Sequence, residues 1–443
     1  MRKLFYFPLL FVIGLMPVFC TEVENTKVAG DTSVDTNDSL VQSTGLIAYI
    51  RNDNEIRVID STGQNDKQIW THEDAKAPFG IFDIAWRPDG KELAFSSGHQ
   101  NMQSLFHADL YAIRPDGSGL RRLTNLPDPK NFSSYKKGSV TVTLRNNQYS
   151  FQKAQSSTGL FTVYIAGADM PQQVLLPPGA TKTIEFKNVA DFGDHAQPVV
   201  AIYGQTRWFI PGTDVVAGKS IKAPEFIISG DGYDYFGAFR PVWKQDGSKL
   251  SYRDGLCLVK TVPVRPAVGA EFNHLFGNKE TTGSCYWDWG PTPNLSNHVL
   301  YLVDASEETS GFYMRKEGDH SETPVPLHLS PHGAYDLKWL PDGSGFVYSM
   351  NYYRETDSKR VSNIFRYDIA SKKNIQVTDL EDGYARQFSV SPSGRWIVYE
   401  KCSIDQDRPD DLDFKGSDLW IIGVDGKGDR LLVKNGMAPS WSR

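Results

Sequence analysis

Six segments of this chain carry one pattern, and their spacing limits the fold more than any other feature. They read FDIAWRPDGKELAF (82–95), FRPVWKQDGSKLSY (239–252), CYWDWGPTPNLSNHVLYL (285–302), YDLKWLPDGSGFVY (335–348), RQFSVSPSGRWIVY (386–399) and, cut short, MAPSWSR (437–443). Aligned on Trp86, Trp243, Trp289, Trp339, Val390 and Trp441, the copies stand 157, 46, 50, 51 and 51 residues apart. The first interval is therefore one repeat plus a long insertion.

The local chemistry repeats with the spacing. An apolar or alternating stretch runs into a Pro-Asp-Gly type turn, whose residues have the φ preferences of a tight turn. A second stretch follows (ELAF, KLSY, HVLYL, GFVY, WIVY), and then a third (DLYAI, NIFRYDI, DLWIIGV). After another turn comes a fourth (LRRLT, NIQVT, DRLLV). Four strands in each such unit is the mark of a β-propeller blade. Unrelated hairpins would not keep this period.

Closure can be counted. LIAYI (46–50), EIRVID (55–60) and KQIW (67–70) make three strands of a blade that lacks its innermost one. MAPSWSR supplies that strand from the other end of the chain. The expected fold is all-β, a six-bladed β-propeller closed by the C-terminal strand. A closed ring leaves no exposed edge where an open array would.

The pattern W-x-P-D-G-x-x-[LIV]-[AV]-[FY], with a later D-G-S/G turn and a terminal L-T, resembles the TolB-type six-bladed propeller repeat, a WD40-like (PD40) repeat. The match is best over DIAWRPDGKELAFSS…DLYAIRPDGSGLRRLTN (83–125). It covers residues 45–127 and roughly 231–443. The resemblance implies a fold and is unspecific for function. The N-terminal domain of the TolB translocation protein is not evident in the sequence.

Residues 1–20, MRKLFYFPLLFVIGLMPVFC, have the layout of a secretory signal: Arg2 and Lys3, then an apolar run. The run is interrupted by Pro8 and Pro17 and is shorter than the ~20 residues a membrane-spanning helix needs, which argues against an anchor. Cys20 is a candidate lipidation site, although Val18 and Phe19 are bulkier than a lipobox prefers. Residues 21–44 are polar and read as a disordered linker. The chain is expected to be exported, either periplasmic or secreted, and to meet a membrane only through the signal or a lipid anchor at Cys20.

The insertion, residues 128–232, lies between propeller parts 45–127 and 233–443. It carries about seven short β-patterned stretches with no helical period, which predicts a β-sandwich-like domain. The competing reading is that these strands extend one blade.

In a propeller the innermost strands line a channel, and the loops leading into them usually form the ligand face. Three residues before each anchor stand Asp83, Arg240, Tyr286, Asp336, Gln387 and Ala438, and one step earlier Phe82, Phe239, Cys285, Tyr335, Arg386 and Met437. Candidate ligand-binding residues at this mouth are therefore Asp83, Arg240, Tyr286, Tyr335, Asp336, Arg386 and Gln387. Such a mixture holds a peptide strand or a sugar by stacking and a few hydrogen bonds. Alternatively, Asp–Arg pairing there serves only to join the blades.

Asp405, Asp407, Asp410, Asp411 and Asp413, with Ser417 and Asp418 beyond, are hard oxygen groups that suit Ca²⁺. Their spacing is not that of an EF-hand, and a solvated acidic loop is the simpler reading. No other cofactor is expected. Cys257 and Cys285 fall in adjacent blades and are candidates for a disulfide, which leaves Cys402 as a free, buried thiol.

No nucleophile elbow, zinc-protease motif or P-loop is present, so no catalytic residue is assigned. His99 and His332 are expected near the channel mouth. A net charge of −6 gives no basic face for nucleic acid. Together these features predict an exported, non-enzymatic binding or scaffold protein that presents a loop-rich face to a protein or peptide. The alternative is a polysaccharide-active lyase or hydrolase, with Asp83, Asp336, Arg240 and His332 at the mouth and carbohydrate as ligand.

Overall fold

The computed structural model describes residues 45–442 except 73–79, 125–132, 148–158, 194, 204–205, 230–236, 255–256, 266–272, 275–284, 292, 304–310, 320, 328–332 and 405–414. Six four-stranded blades stand around one axis. Blade 1 joins Met437–Trp441, innermost, to Leu46–Arg51, Glu55–Asp60 and Lys67–Thr71. From the axis outward, blade 2 is Ile81–Trp86, Leu93–Ser97, Asp109–Ile113 and Arg121–Arg122. Blade 3 is Phe239–Trp243, Lys249–Arg253, Val259–Pro263 and Asn273–His274. Blade 4 is Tyr286–Trp289, His298–Val303, Gly311–Lys316 and Glu322–Pro324.

Blade 5 is Ala334–Trp339, Gly345–Tyr353, Arg360–Asp368 and Lys373–Gln376, and blade 6 is Gly383–Val390, Trp396–Ser403, Lys415–Gly423 and Arg430–Val433. The six innermost strands touch in a closed circuit, from Met437–Trp441 through blades 2 to 6 and back. This is the all-β, six-bladed ring that the repeats predict, with the first and last described strands in one sheet.

Each blade is packed between two others, so its middle strands are covered on both faces. Leu93–Ser97 and Asp109–Ile113 are buried along their whole length, which explains their unbroken apolar runs. Trp86, Trp243, Trp289, Trp339 and Trp441 are all buried. The turn after the inner strand is the same in four blades. Gly90, Gly247, Gly343 and Gly394 take φ of 69, 69, 73 and 69°, and each donates its N–H to the carbonyl three residues back. A side chain is disfavoured in that conformation, which is the physical content of the repeated Gly.

Residues between 137 and 228 form two further sheets, neither of which continues a blade. One contains Leu160–Ile165, Gln172–Leu175, Gln197–Tyr203 and Thr206–Thr213. The other pairs Lys137–Asn146 with Thr181–Ala190 on one side and, in parallel, with Ser220–Lys222 and Phe226–Ile228 on the other. Val140, Val142 and Leu144 of one sheet and Phe161, Val163 and Ile165 of the other share one core. Their alternation with Ser139, Thr141 and Thr143 is that of a sheet with one wet face.

Every inner strand starts at the same end of the ring, called here the mouth, and finishes at the anchors on the far side. Leu46 and Ser442 lie on that far side, where two hydrogen bonds of 2.8 Å join them.

Candidate functional site: the channel mouth

Inner strands of five blades carry a register shift near the mouth. At four of these bulges a residue with a side chain takes the left-handed conformation: Arg240 (φ 53°), Asp336 (53°), Gln387 (41°) and Ala438 (49°). All four hold the repeat position three before the anchor. A bulge re-aims a side chain and frees a backbone N–H from the ladder. The mouth residues satisfy those groups themselves.

The Asp83 carboxylate accepts the N–H of Arg240 at 2.9 Å. The Arg240 guanidinium pairs with Asp336 Oδ1, so blade 3 is tied to blade 5. It lies 4.7 Å from the ring centroid of Tyr286 in blade 4. Asp336 Oδ2 accepts the N–H of Phe388 in blade 6 at 3.4 Å. Burial opposes the Arg240 charge, but the Asp336, Tyr286 and Asp83 fields outweigh it and hold its pKa above the usual range.

Blade 6 closes onto blade 1 through Glu400, which is fully buried. Its Oε2 accepts the Ala438 N–H at 3.2 Å, and its Oε1 takes Arg386 Nε at 3.1 Å and Ser417 Oγ at 2.7 Å. Tyr335 donates to the Ala385 carbonyl at 3.2 Å and meets Ser362 Oγ. The candidate residues thus come together, and Asp83, Arg240, Tyr335 and Asp336 are bonded to other blades.

One level deeper, just before the anchors, the same device recurs. Asp288 Oδ2 accepts the N–H of Trp339 at 2.9 Å, Ser389 Oγ that of Trp441 at 2.9 Å, and Ser440 Oγ that of Trp86 at 3.0 Å. The corresponding residue of blade 5 is Lys338, a donor only.

Two small recesses remain. One, of about 50 Å³, is lined at the mouth by Asp83, Arg240, Asp336, Lys338 and Gln387. The other, of about 100 Å³, lies deeper, among Trp86, Trp243, Trp339, Trp441, Asp288 and Lys338.

Two walls stand at the mouth. The sheet of Gln197–Tyr203 and Thr206–Thr213 packs Val200, Ile202 and Phe209 with Tyr164 onto Met102 and Phe82. Arg207 lies 5.6 Å from the Phe82 ring centroid, and Phe82 meets Phe239 edge-on at 5.5 Å. Across the ring, strands Gly345–Tyr353 and Arg360–Asp368 run past the level of their blade, where Tyr352 pairs with Val361 and Tyr353 with Arg360. Tyr353 at that end is exposed.

Position in the repeat identifies the mouth residues, because each copy has the same geometry. It does not reveal Glu400, Arg207 or Lys338. Glu400 acts from a second strand, Arg207 comes from outside the repeats, and Lys338 stands at a position that the other copies fill with Ala85, Val242, Asp288, Ser389 and Ser440.

His99 lies at the mouth end of blade 2 but not on the channel. It packs 5.0 Å from Trp70, 5.9 Å from His72 and 4.4 Å from Tyr111, between blades 1 and 2. It lies in the loop after the second strand of blade 2, which folds outward over that strand. Burial first, then the charges of His72 and Arg122, push its pKa down to about 3.

Cys257 and Cys285 form a disulfide with Cα atoms 4.6 Å apart, and Cys402 is free and buried. Ser417 is held by Glu400, and Asp418 accepts the N–H of Asn435. Asp405, Asp407, Asp410, Asp411, Asp413, His332 and Cys20 lie outside the described residues. Among the described residues no three His, Cys, Asp or Glu side chains form a metal-sized group.

No family model matches the chain, and no curated protein does. Solved structures similar to it include one described as TolB from Agrobacterium tumefaciens, at 14% identity over 90% of this chain and 92% of that one, with a TM-score of 0.43. A chain of a nidogen/laminin complex matches at 7% identity over 90% and 98%, TM-score 0.41. The tricorn protease matches at 11% identity over 88% of this chain and 44% of its own, TM-score 0.31.

Proposed function

We propose that this chain is an exported, non-enzymatic binding protein that docks a protein or peptide segment across its channel mouth, between the two walls. One observation carries the reading: the carboxylates of the mouth are already bonded to neighbouring groups. Asp83 and Asp336 both engage Arg240, and Glu400 engages Arg386. A carboxylate held in this way is a poor general acid or base, because moving its proton breaks a join between blades.

Size points the same way. Pockets that enclose a drug-sized ligand hold roughly 300–1,000 Å³. The mouth recess, at about 50 Å³, takes a single side chain of a partner whose remaining contacts fall on Phe82, Tyr286 and Tyr353. These aromatic side chains suit a protein interface, where such residues carry much of the binding energy.

Capture from an extract of the native host tests this, using wild type, Tyr286→Ala and Tyr353→Ala, with Leu431→Ala, far from the mouth, as control. Loss of the same captured protein in the two mouth variants alone supports the reading. Turnover of a glycan panel by wild type, with no captured protein, would replace it with the polysaccharide-active alternative.

A further inference from the structure

We infer that the Cys257–Cys285 disulfide is a redox switch at the channel mouth, opened by a dithiol reductant while the ring stays folded. The bond joins two blades at their mouth ends. Cys257 follows Lys249–Arg253, the second strand of blade 3. Cys285 directly precedes Tyr286, the first residue of the inner strand of blade 4. Both cysteines are half-buried, so solvent reaches this part of the surface. Exposed or strained disulfides are the labile ones.

A charge beside one sulfur sets the direction of exchange. Arg253 Nη1 lies 3.7 Å from Cys257 Sγ. A guanidinium there stabilises Cys257 as a thiolate and makes it the better leaving group. Asp254, next in the chain, is turned elsewhere: it accepts the Leu258 N–H at 3.0 Å and faces Lys260 at 3.3 Å. Cys257 also stands at φ 58°, where its N–H donates to the Asp254 carbonyl at 3.0 Å. Left-handed backbone is strained for a residue with a side chain, and cutting the bond frees the loop to relax.

A thiolate of the reductant attacks Cys285 Sγ. The Cys257–Cys285 bond breaks, and Cys257 leaves with the electron pair beside Arg253. The second thiol of the reductant then attacks the mixed disulfide and releases Cys285. Both cysteines take up the protons that the dithiol gives up, and the dithiol becomes a disulfide. Tyr286 lies 4.7 Å from the Arg240 guanidinium and 6.3 Å from the Tyr335 ring. Freeing its covalently held neighbour loosens these contacts, so the state of the bond sets the order of the mouth. This holds whether or not a protein docks there.

Folded wild type is incubated with dithiothreitol well below its melting temperature, and the freed thiols are alkylated and mapped by mass. Labelling of Cys257 and Cys285 together is expected, with the buried Cys402 unlabelled. Hydrogen exchange at the Tyr286 amide should rise roughly tenfold in the reduced protein, while the inner strand of blade 6 keeps its rate. Reduction should be slowed roughly threefold or more in Arg253→Gln and stay near the wild-type rate in Arg253→Lys. Glutathione in place of the dithiol should be trapped on Cys285. Labelling of the pair only together with Cys402, an unchanged rate in folded Arg253→Gln, glutathione on Cys257, or unchanged exchange at Tyr286 overturns the inference.

Discussion

The Asp83 carboxylate holds the backbone N–H of Arg240 across 157 residues of chain. The two residues occupy the same place in successive repeats, so this bond spans one repeat period and the whole insertion. Asp83→Ala leaves that bulge N–H without its acceptor and is expected to cost ~1–3 kcal/mol. Asp83→Asn keeps an acceptor oxygen and should cost less. Urea unfolding of the three proteins checks the order.

Arg240 and Asp336 are both well buried, and each leaves the other uncompensated if removed. Arg240→Ala and Asp336→Ala are each expected to cost ~3–5 kcal/mol, while Arg240→Met with Asp336→Leu should cost less than either alone. A double-mutant cycle by denaturant melts measures the coupling. Additive losses would mean the pair is not coupled.

Gln387 is a side-chain-bearing residue at φ 41°. Gln387→Gly removes that strain and should leave stability unchanged or slightly raised. Gln387→Val puts a β-branched residue where it is least tolerated, at ~1–3 kcal/mol. Thermal melts separate the two outcomes.

Acid stability follows from His99. Its folded pKa, about 3, lies below its unfolded value near 6.5. The stabilisation from the neutral ring is therefore present above pH 6.5 and is lost as pH falls from there toward 3. His107, lowered chiefly by its burial, adds a loss of the same sign. Asp109 opposes both: burial raises its pKa to about 6, so falling pH relieves its cost between about 6 and 4. Wild type should lose stability below pH 6.5, Asp109→Asn more steeply, and His99→Gln less steeply. Unfolding free energies at half-unit pH steps decide this.

The Cys257–Cys285 disulfide closes a separation of 28 residues. By chain entropy that is worth ~3–4 kcal/mol. Cys257→Ser with Cys285→Ser should be less stable by that amount and melt lower, and reducing agent should leave the double variant unaffected. A drop in the variant's melting point on reduction would contradict this assignment.

The ring was legible because its code is local and repeated. A tryptophan, a turn glycine and a fixed period identify an inner strand wherever they recur, and the three strands after Leu46 need the last one at Met437. Position within the repeat likewise placed Asp83, Arg240, Asp336 and Gln387 together. What each mouth group bonds to was less legible. The sequence kept pairing and ligand binding as alternatives, since the bulge that turns Arg240 toward Asp336 has no glycine to mark it. His99 is at the mouth end as expected but faces away from the channel, because its loop folds outward against Trp70 of another blade. Ser220–Lys222 went unseen because three residues, two of them polar, carry no period, and their parallel pairing depends on Lys137–Asn146, far away in the chain.

Leu46 and Ser442 are bonded to each other on the side opposite the mouth. A short linker from 442 to 45 would therefore span little space, and the ring should tolerate circular permutation, with new ends opened in a loop between blades. For the same reason, a support or fused partner joined directly at Leu46 or Ser442 leaves the mouth pointing away from it.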